Sequence, residues 1–334
     1  MSATIRDVAE KADVSVATVS RVLNDSDSVR AETEERVLSA ARELDYLPNK
    51  AARDLRTKET RTVGVLLPNL HGEFFAQVTR GLDERAREEK LHLLVSNSHT
   101  DEAEAESVLR SLLGRVGGLI VLWPRLDVNF LDALVPEDLP VVLLNTSVGA
   151  ARFQTLSFDN QAGAYAAVEH LAEHGHERVA ILTGGPANYD AQQRLAGYRR
   201  AVDDLDLVAD PALEIAGDFT EEAGRSAVDR LLALDPSPTA LFASNDSMAL
   251  GALRGLHEAG VRVPDDVAVV GFDDIPMAPY ATPSLTTVRA PTIALGTRAM
   301  NALLDASSGD EPSAHETLDT TLVRRESCGC PSED

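Results

Sequence analysis

Beyond residue 60 the chain alternates two patterns of different period. Short, nearly continuous apolar runs recur at 62–68, 91–96, 118–123, 141–145, 179–183, 213–216, 240–243 and 267–272. Between most of them lie stretches with apolar residues three or four apart, at 73–89, 102–113, 162–174, 194–204, 221–234 and 248–259. A strand that is apolar at every position is covered on both faces, and sheets covered on both faces are parallel ones wrapped by helices. The pattern therefore predicts an α/β body of doubly wound parallel sheet. In such sheets ligands sit beyond the carboxyl ends of the strands, so the residues that follow each run are the candidates for binding.

The first sixty residues carry helical spacing only. Thr4 and Asp7 supply oxygens for the open amides of a first helix, whose inward face is Val8, Ala9 and Ala12. Asp13-Val14-Ser15 reads as a tight turn with Ser15 capping a second helix, and Val19, Val22 and Leu23 form its buried stripe. Two short helices across a tight turn are the pattern of a helix-turn-helix. That leaves Val16, Ala17, Ser20 and Arg21 on the side that meets base edges.

Length separates the two regions, because 334 residues exceed what one core holds. Charge sharpens the division. The formal net charge is −23, yet residues 1–60 contribute only −2 of it. An acidic body beside a nearly neutral head predicts weak binding to random DNA and repulsion of DNA not docked head-first. Arg outnumbers Lys 27 to 4, which fits a GC-rich genome and a salt-adapted proteome alike. No long apolar segment or basic-then-apolar start is present, so a cytoplasmic protein without membrane contact is expected.

Taken together, T-I-x-D-V-A from Thr4, V-S-x-x-T-V-S-R-V-L-N from Val14, Y-x-P-N-x-x-A-R-x-L from Tyr46 and the body after them resemble the lactose/galactose repressor (LacI/GalR) family. The resemblance runs nearly the whole length. It implies a helix-turn-helix domain at 1–47, a hinge helix and linker at 48–60, and a periplasmic-binding-protein-like body at 61–330. The body would divide into one subdomain at 61–160 plus 290–320 and a second at 161–289 plus the C-terminal strand. A homodimer on palindromic double-stranded operator DNA is implied, contacting it through Thr4, Ser15, Val16, Ala17, Thr18, Ser20, Arg21 and Asn24. In the hinge, Asn49, Ala52, Leu55 and Arg56 would join them, with Leu55 as the wedge in the minor groove.

A small-molecule effector in the cleft is implied as well, with no cofactor. Phe74 and Phe75 follow the first strand, and Trp123, the single tryptophan, ends the third. Both places suit a ring that stacks on a sugar or a base, and packing into the core is the competing role for Phe75 and Trp123. Asn145 stands where relatives that bind ribose or galactose tend to carry Asp-Arg. Arg194 lies in an R-L-x-G-Y piece whose arginine reaches the ligand in the family, and a guanidinium fork suits vicinal hydroxyls. Phe219 offers an aromatic platform, Asn245 a donor, and Asp273 of G-F-D-D an acceptor for hydroxyls. Asp159 and Asp218 read as helix caps, and Ala290 lacks the glutamine that touches sugar in relatives.

These features make the effector a sugar or sugar derivative, or else a purine-like ring held between Phe74 and Phe219. A solute-binding or sugar-converting protein fits poorly, given the N-terminal head and the absence of an export signal. No catalytic constellation is present and no metal site is predicted. His170 and His174 fall on an ordinary helix face, and Cys328 and Cys330 in a polar tail that reads as inert.

Overall fold

A computed structural model describes residues 5–22, 29–44, 60–70, 72–99, 101–123, 128–146, 152–308 and 315–330. The chain forms two units, Met1–Thr60 and Arg61–Asp334. Thr4, Asn24 and the hinge positions Asn49, Ala52, Leu55 and Arg56 lie outside the described residues.

The first unit packs α1 (Ile5–Lys11), α2 (Val16–Val22) and α3 (Ala31–Glu43) around Val8, Ala9, Ala12, Val19, Val22, Val37, Ala40 and Ala41. Small side chains at the crossings let such short helices approach closely. Ser15 Oγ accepts from the Thr18 backbone N–H at 3.1 Å and so caps α2. Val16, Ala17 and Arg21 are exposed and Thr18 and Ser20 half-buried, leaving one face of α2 turned outward.

In the second unit, one six-stranded sheet contains β1 (Thr62–Leu67), β2 (His92–Asn97), β3 (Gly118–Leu122), β4 (Val141–Leu144), β5 (Gln154–Phe158) and β11 (His315–Leu318). Its spatial order is β11-β5-β4-β3-β1-β2, and every pairing is parallel. The other contains β6 (Val179–Thr183), β7 (Glu214–Ala216), β8 (Ala240–Ala243), β9 (Ala268–Asp273), β10 (Thr286–Arg289) and β12 (Thr321–Val323). Its order is β12-β10-β9-β8-β6-β7, with β12 antiparallel to β10.

The helices that wrap the sheets are α4 (Glu73–Glu88), α5 (Glu102–Leu112), α6 (Val128–Leu134), α7 (Asn160–Glu173), α8 (Tyr189–Asp204), α9 (Glu221–Leu232), α10 (Asp246–Glu258) and α11 (Thr292–Ser308). No helix among the described residues is long and apolar enough to cross a membrane.

The chain passes between the two sheets three times, from β5 to α7, from β10 to α11, and from β11 to β12. Four strands are absent from the apolar runs. β5 is buried along its whole length yet carries Gln154, Thr155 and Ser157, which break the run. β10, β11 and β12 are three or four residues long and equally polar. Helix α8 starts at Tyr189, five residues before the expected boundary, because the Asn188 side chain accepts from Ala191 N at 2.9 Å and caps it there. Arg194 is thereby moved from a helix start to the second turn.

The C-terminal residues are not the inert tail expected from their polarity. Cys328 is 3% exposed and receives a hydrogen bond from Thr286 Oγ1 at 3.0 Å.

Glycines set the helix spacing where the cleft needs it. A Cβ on Gly81 of α4 would overlap the carbonyl of Ile293 in α11, and one on Gly296 would overlap the carbonyl of Val78. Each helix thus presents bare backbone to the other, and α4 carries Phe74 and Phe75 in its first turn. Gly81→Ala is expected to lower stability by about 3 kcal/mol, the upper range for overpacking a close contact. Urea unfolding should show the lost stability as an earlier midpoint at similar slope, and an unmoved midpoint would contradict the contact.

Candidate functional site

The carboxyl ends of β1, β3 and β4 face those of β6, β7, β8 and β9 across a cleft of about 240 Å³. Subdomain one contributes Phe74, Phe75 and Asn145, and subdomain two contributes Asp190, Arg194, Phe219, Asn245 and Asp273. The structure therefore brings seven of the eight expected ligand residues into one place.

Trp123 is the exception. It is 2% exposed and packs with Leu66, Leu109, Leu119 and Leu131 on the face of the first sheet covered by α5 and α6. Side chains alternate along a strand, so the residue that follows Leu122, which does line the cleft, points to the opposite face. The expectation that Trp123 stacks on ligand is corrected on that ground.

Arg194 forms the floor. At 2% exposure it donates from Nε to Asn160 Oδ1 at 2.8 Å and from Nη1 to the Ser244 carbonyl, and Nη2 lies 3.2 Å from Asp273 Oδ1. Its guanidinium carbon sits 3.7 Å from the centre of the Phe272 ring. Arginine stays charged at any ordinary pH, so burial on this scale requires such a set of partners.

Asp273 is 6% exposed, with its backbone at φ 112°. Burial raises its pKa to about 6. Arg194 pulls it down and Asp190 pushes it up. Burial also raises Asp190, against the opposing effects of Arg194, Asn160 and Asn145. Beneath Asp273 lies a further carboxyl, Asp246, which is fully buried. It accepts from the Ile275 backbone N–H at 2.8 Å and from the Thr287 hydroxyl, fixing the turn that follows β9. Burial and the Asp273 charge hold its pKa well above the carboxylate range.

Asn145 spans the cleft. Its Nδ2 donates to Asp190 Oδ2 at 2.9 Å, and Asn160 Nδ2 donates to the other oxygen, Oδ1, at 2.9 Å. The residue adopts φ 47°, a left-handed conformation that asparagine tolerates better than most side chains. Among the described residues, Asn145 Oδ1 is a buried acceptor that receives no hydrogen bond, and Asp273 Oδ1 is buried facing the Arg194 guanidinium. They belong to opposite sides of the cleft.

The aromatic walls are built differently. Phe74 and Phe75 meet edge to face with centroids 5.3 Å apart, and Phe74 also contacts Phe158 at 6.2 Å. Phe219 holds φ 73°, and its ring occupies the space that a Cβ on Gly184 would take. The carboxamide of Asn245 caps α10 through Met248 N at 2.9 Å and donates to the Phe219 carbonyl at 3.1 Å. Asn245 thus positions Phe219 as well as lining the cleft. The cap of α9 is Thr220 rather than the expected Asp218, which instead accepts from the Thr220 N–H and hydroxyl. Asp159 caps α7 through Ala162 N.

Sequence reasoning did not single out Asn160, Asp190 or Asp246. Each sits in the first turn of a helix or next to its cap, where polar residues are common for local reasons. Only long-range pairing distinguishes them.

Residues 4–49 match the family model described as bacterial regulatory proteins, lacI family, and residues 168–328 match the periplasmic binding protein-like domain. The chain is 35% identical to the HTH-type transcriptional repressor CytR of Escherichia coli (strain K12), covering 97% of this chain and 96% of the relative. The structure of the Lac repressor dimer bound to operator and the anti-inducer ONPF matches at TM-score 0.88 and 32% identity, over 98% of this chain and 99% of that one. The transcriptional regulator CelR in complex with cellobiose matches at TM-score 0.74 and 32% identity, over 97% and 99% of the two chains. All three are named as repressors or regulators of transcription. With a head and a body that both match, and identity above 30% over almost its full length, the chain belongs to the LacI family of bacterial transcriptional regulators.

Proposed function

We propose that the protein is a repressor that binds a palindromic operator as a homodimer and is gated by a small sugar or sugar derivative in the cleft. The observation that carries the effector class is a pair of buried acceptors, one from each side: Asn145 Oδ1, which receives no hydrogen bond from the described residues, and Asp273 Oδ1, which faces Arg194 Nη2 at 3.2 Å. A buried acceptor short of donors costs free energy, and a ligand bearing several hydroxyls reduces that cost on both sides at once. The Phe74 and Phe219 faces suit the apolar side of a pyranose. A ligand that touches both subdomains favours the closed cleft, and typical coupling between such sites is ~1–3 kcal/mol. Closure would move one subdomain relative to its dimer mate and so alter the spacing of the two hinge segments.

A purine-like effector is the second reading, favoured by the aromatic character of the same walls. Calorimetry with a panel of monosaccharides, disaccharides, nucleosides and nucleobases separates the two. The proposal expects saturable binding of a sugar, and binding confined to nucleobases would overturn it. With the bound sugar in hand, Asp273→Ala should abolish the effect of ligand on operator affinity while leaving the affinity without ligand close to wild type. An unchanged response at the same ligand concentration would place the effector elsewhere.

On DNA, the exposed Arg21 is proposed to read a guanine, with Val16 and Ala17 against thymine methyls. An operator recovered by in vitro selection supplies the test. Arg21→Ala should reduce discrimination against a substituted half-site base by about 1–3 kcal/mol, the usual value of a bidentate arginine–guanine pair. Discrimination that survives intact would refute the assignment.

A further inference from the structure

Two sequence features that read as unremarkable alone meet in the folded body. His170 lies in the last turn of α7 and His174 is its C-cap, so the two imidazoles share one face, with ring centroids 4.4 Å apart. The C-terminal segment returns after β12 and lays Cys328 and Cys330 against that face. His170 Nε2 is 3.2 Å from Cys328 Sγ and 3.7 Å from Cys330 Sγ, and His174 Nε2 is 3.2 Å from Cys330 Sγ. The donor atoms of His170, Cys328 and Cys330 all lie within 4.8 Å of one another, with His174 flanking Cys330. Neither cysteine forms a disulfide.

We propose that His170, His174, Cys328 and Cys330 bind one soft transition-metal ion of the zinc class, fastening the C-terminal segment to α7.

The donor set has the composition of a structural zinc site, two thiolates and two imidazoles. Bond lengths of ~2.3 Å to sulfur and ~2.0–2.1 Å to nitrogen place the N···S edges of such a tetrahedron at roughly 3.5 Å. The three observed N···S separations bracket that value, and His174, which lies outside the group of donors within 4.8 Å of one another, must swing inward by roughly an ångström to complete the tetrahedron. His174 is already oriented for the task. Its Nδ1 lies 2.8 Å from the His170 carbonyl, an acceptor that fixes the proton on Nδ1 and directs the Nε2 lone pair toward the sulfurs. Metal-bound histidines are held by this kind of outer contact. Cys328 is anchored by Thr286 and is almost wholly buried, which places the site against the start of β10 and away from the cleft. No carboxylate belongs to the grouping, which excludes calcium and magnesium as its occupants.

Such an ion would tie together residues 156 positions apart in sequence. Because the site does not exist in the unfolded chain, the binding free energy would add to the stability of the body. It would act most directly on the segment that supplies β11 to one sheet and β12 to the other.

The test uses the full chain, reduced with a phosphine and stripped of metal by chelation. Titration with Co²⁺ is expected to give the intense visible bands of a tetrahedral thiolate–imidazole complex, saturating at one equivalent per chain and bleached by Zn²⁺. Zn²⁺ should also raise the unfolding temperature. Cys330→Ser and His174→Ala should each weaken binding by at least roughly a hundredfold, the upper end of what loss of an outer contact costs. Cys330 is half-exposed, so its substitution leaves the fold in place even if Cys328→Ser does not. Octahedral, weakly coloured Co²⁺ would overturn the proposal. So would equal zinc affinity in the Cys330→Ser chain, or the absence of saturable binding in the reduced wild type.

Discussion

Arg194 places a permanent charge where water does not reach, and the arrangement of the cleft follows from compensating it. Removing a guanidinium from water costs several kcal/mol unless hydrogen bonds and an opposing charge surround it. Asn160 arrives from the first crossover, Ser244 from the end of β8 and Asp273 from the end of β9, and Phe272 offers its ring face. Three segments are thereby held to one side chain. Burial raises the acids that face Arg194, and Asp190 adds to the rise at Asp273, so both sit above the normal carboxylate range. Under the proposed function, ligand recognition would use these same groups, and so the element that stabilises the floor would also be the one that a ligand perturbs.

Around that floor the backbone is held in conformations that few side chains adopt. Asn145, Phe219 and Asp273 all have positive φ, and all three line the cleft. Each is secured by a neighbour: Asn145 by Asp190, Phe219 by Asn245 with space cleared at Gly184, and the turn after Asp273 by buried Asp246. Strain of this kind persists only where the surroundings over-determine it. The result is a preformed site in which Asn145 already bridges the two subdomains through Asp190. A ligand would compete with this bridge or reinforce it.

The parts of this design that follow local rules were legible in the sequence. Apolar runs marked eight of the strands, and the residues beyond their carboxyl ends included Phe74, Asn145, Phe219, Asn245 and Asp273. The helix-turn-helix was readable from the Val8, Ala9 and Ala12 face, the Asp13-Val14-Ser15 turn and the Val19 and Val22 stripe. What escaped depended on pairings between distant segments. β5 hides its buried face behind Gln154, Thr155 and Ser157. Trp123 was assigned the wrong face because a strand end does not reveal which way its last side chain points. Asn160 and Asp190 looked like ordinary first-turn polar residues. The histidines four residues apart and the C-x-C pair are each weak signals, and nothing local shows that they meet across 156 positions of sequence.

In the proposed complex, hydroxyls of the effector donate to the Asp273 carboxylate. Such bonds stabilise the charged form, so binding must lower its pKa from about 6 and release a proton. Near pH 6 about half of the Asp273 population carries that proton, and near pH 8 almost none does. Calorimetry of sugar binding in buffers of different ionisation enthalpy measures the release directly. Release should approach half a proton per chain at pH 6, with almost none at pH 8 and none at pH 6 in Asp273→Asn. Proton-neutral binding at pH 6, or equal release from the variant, would contradict it.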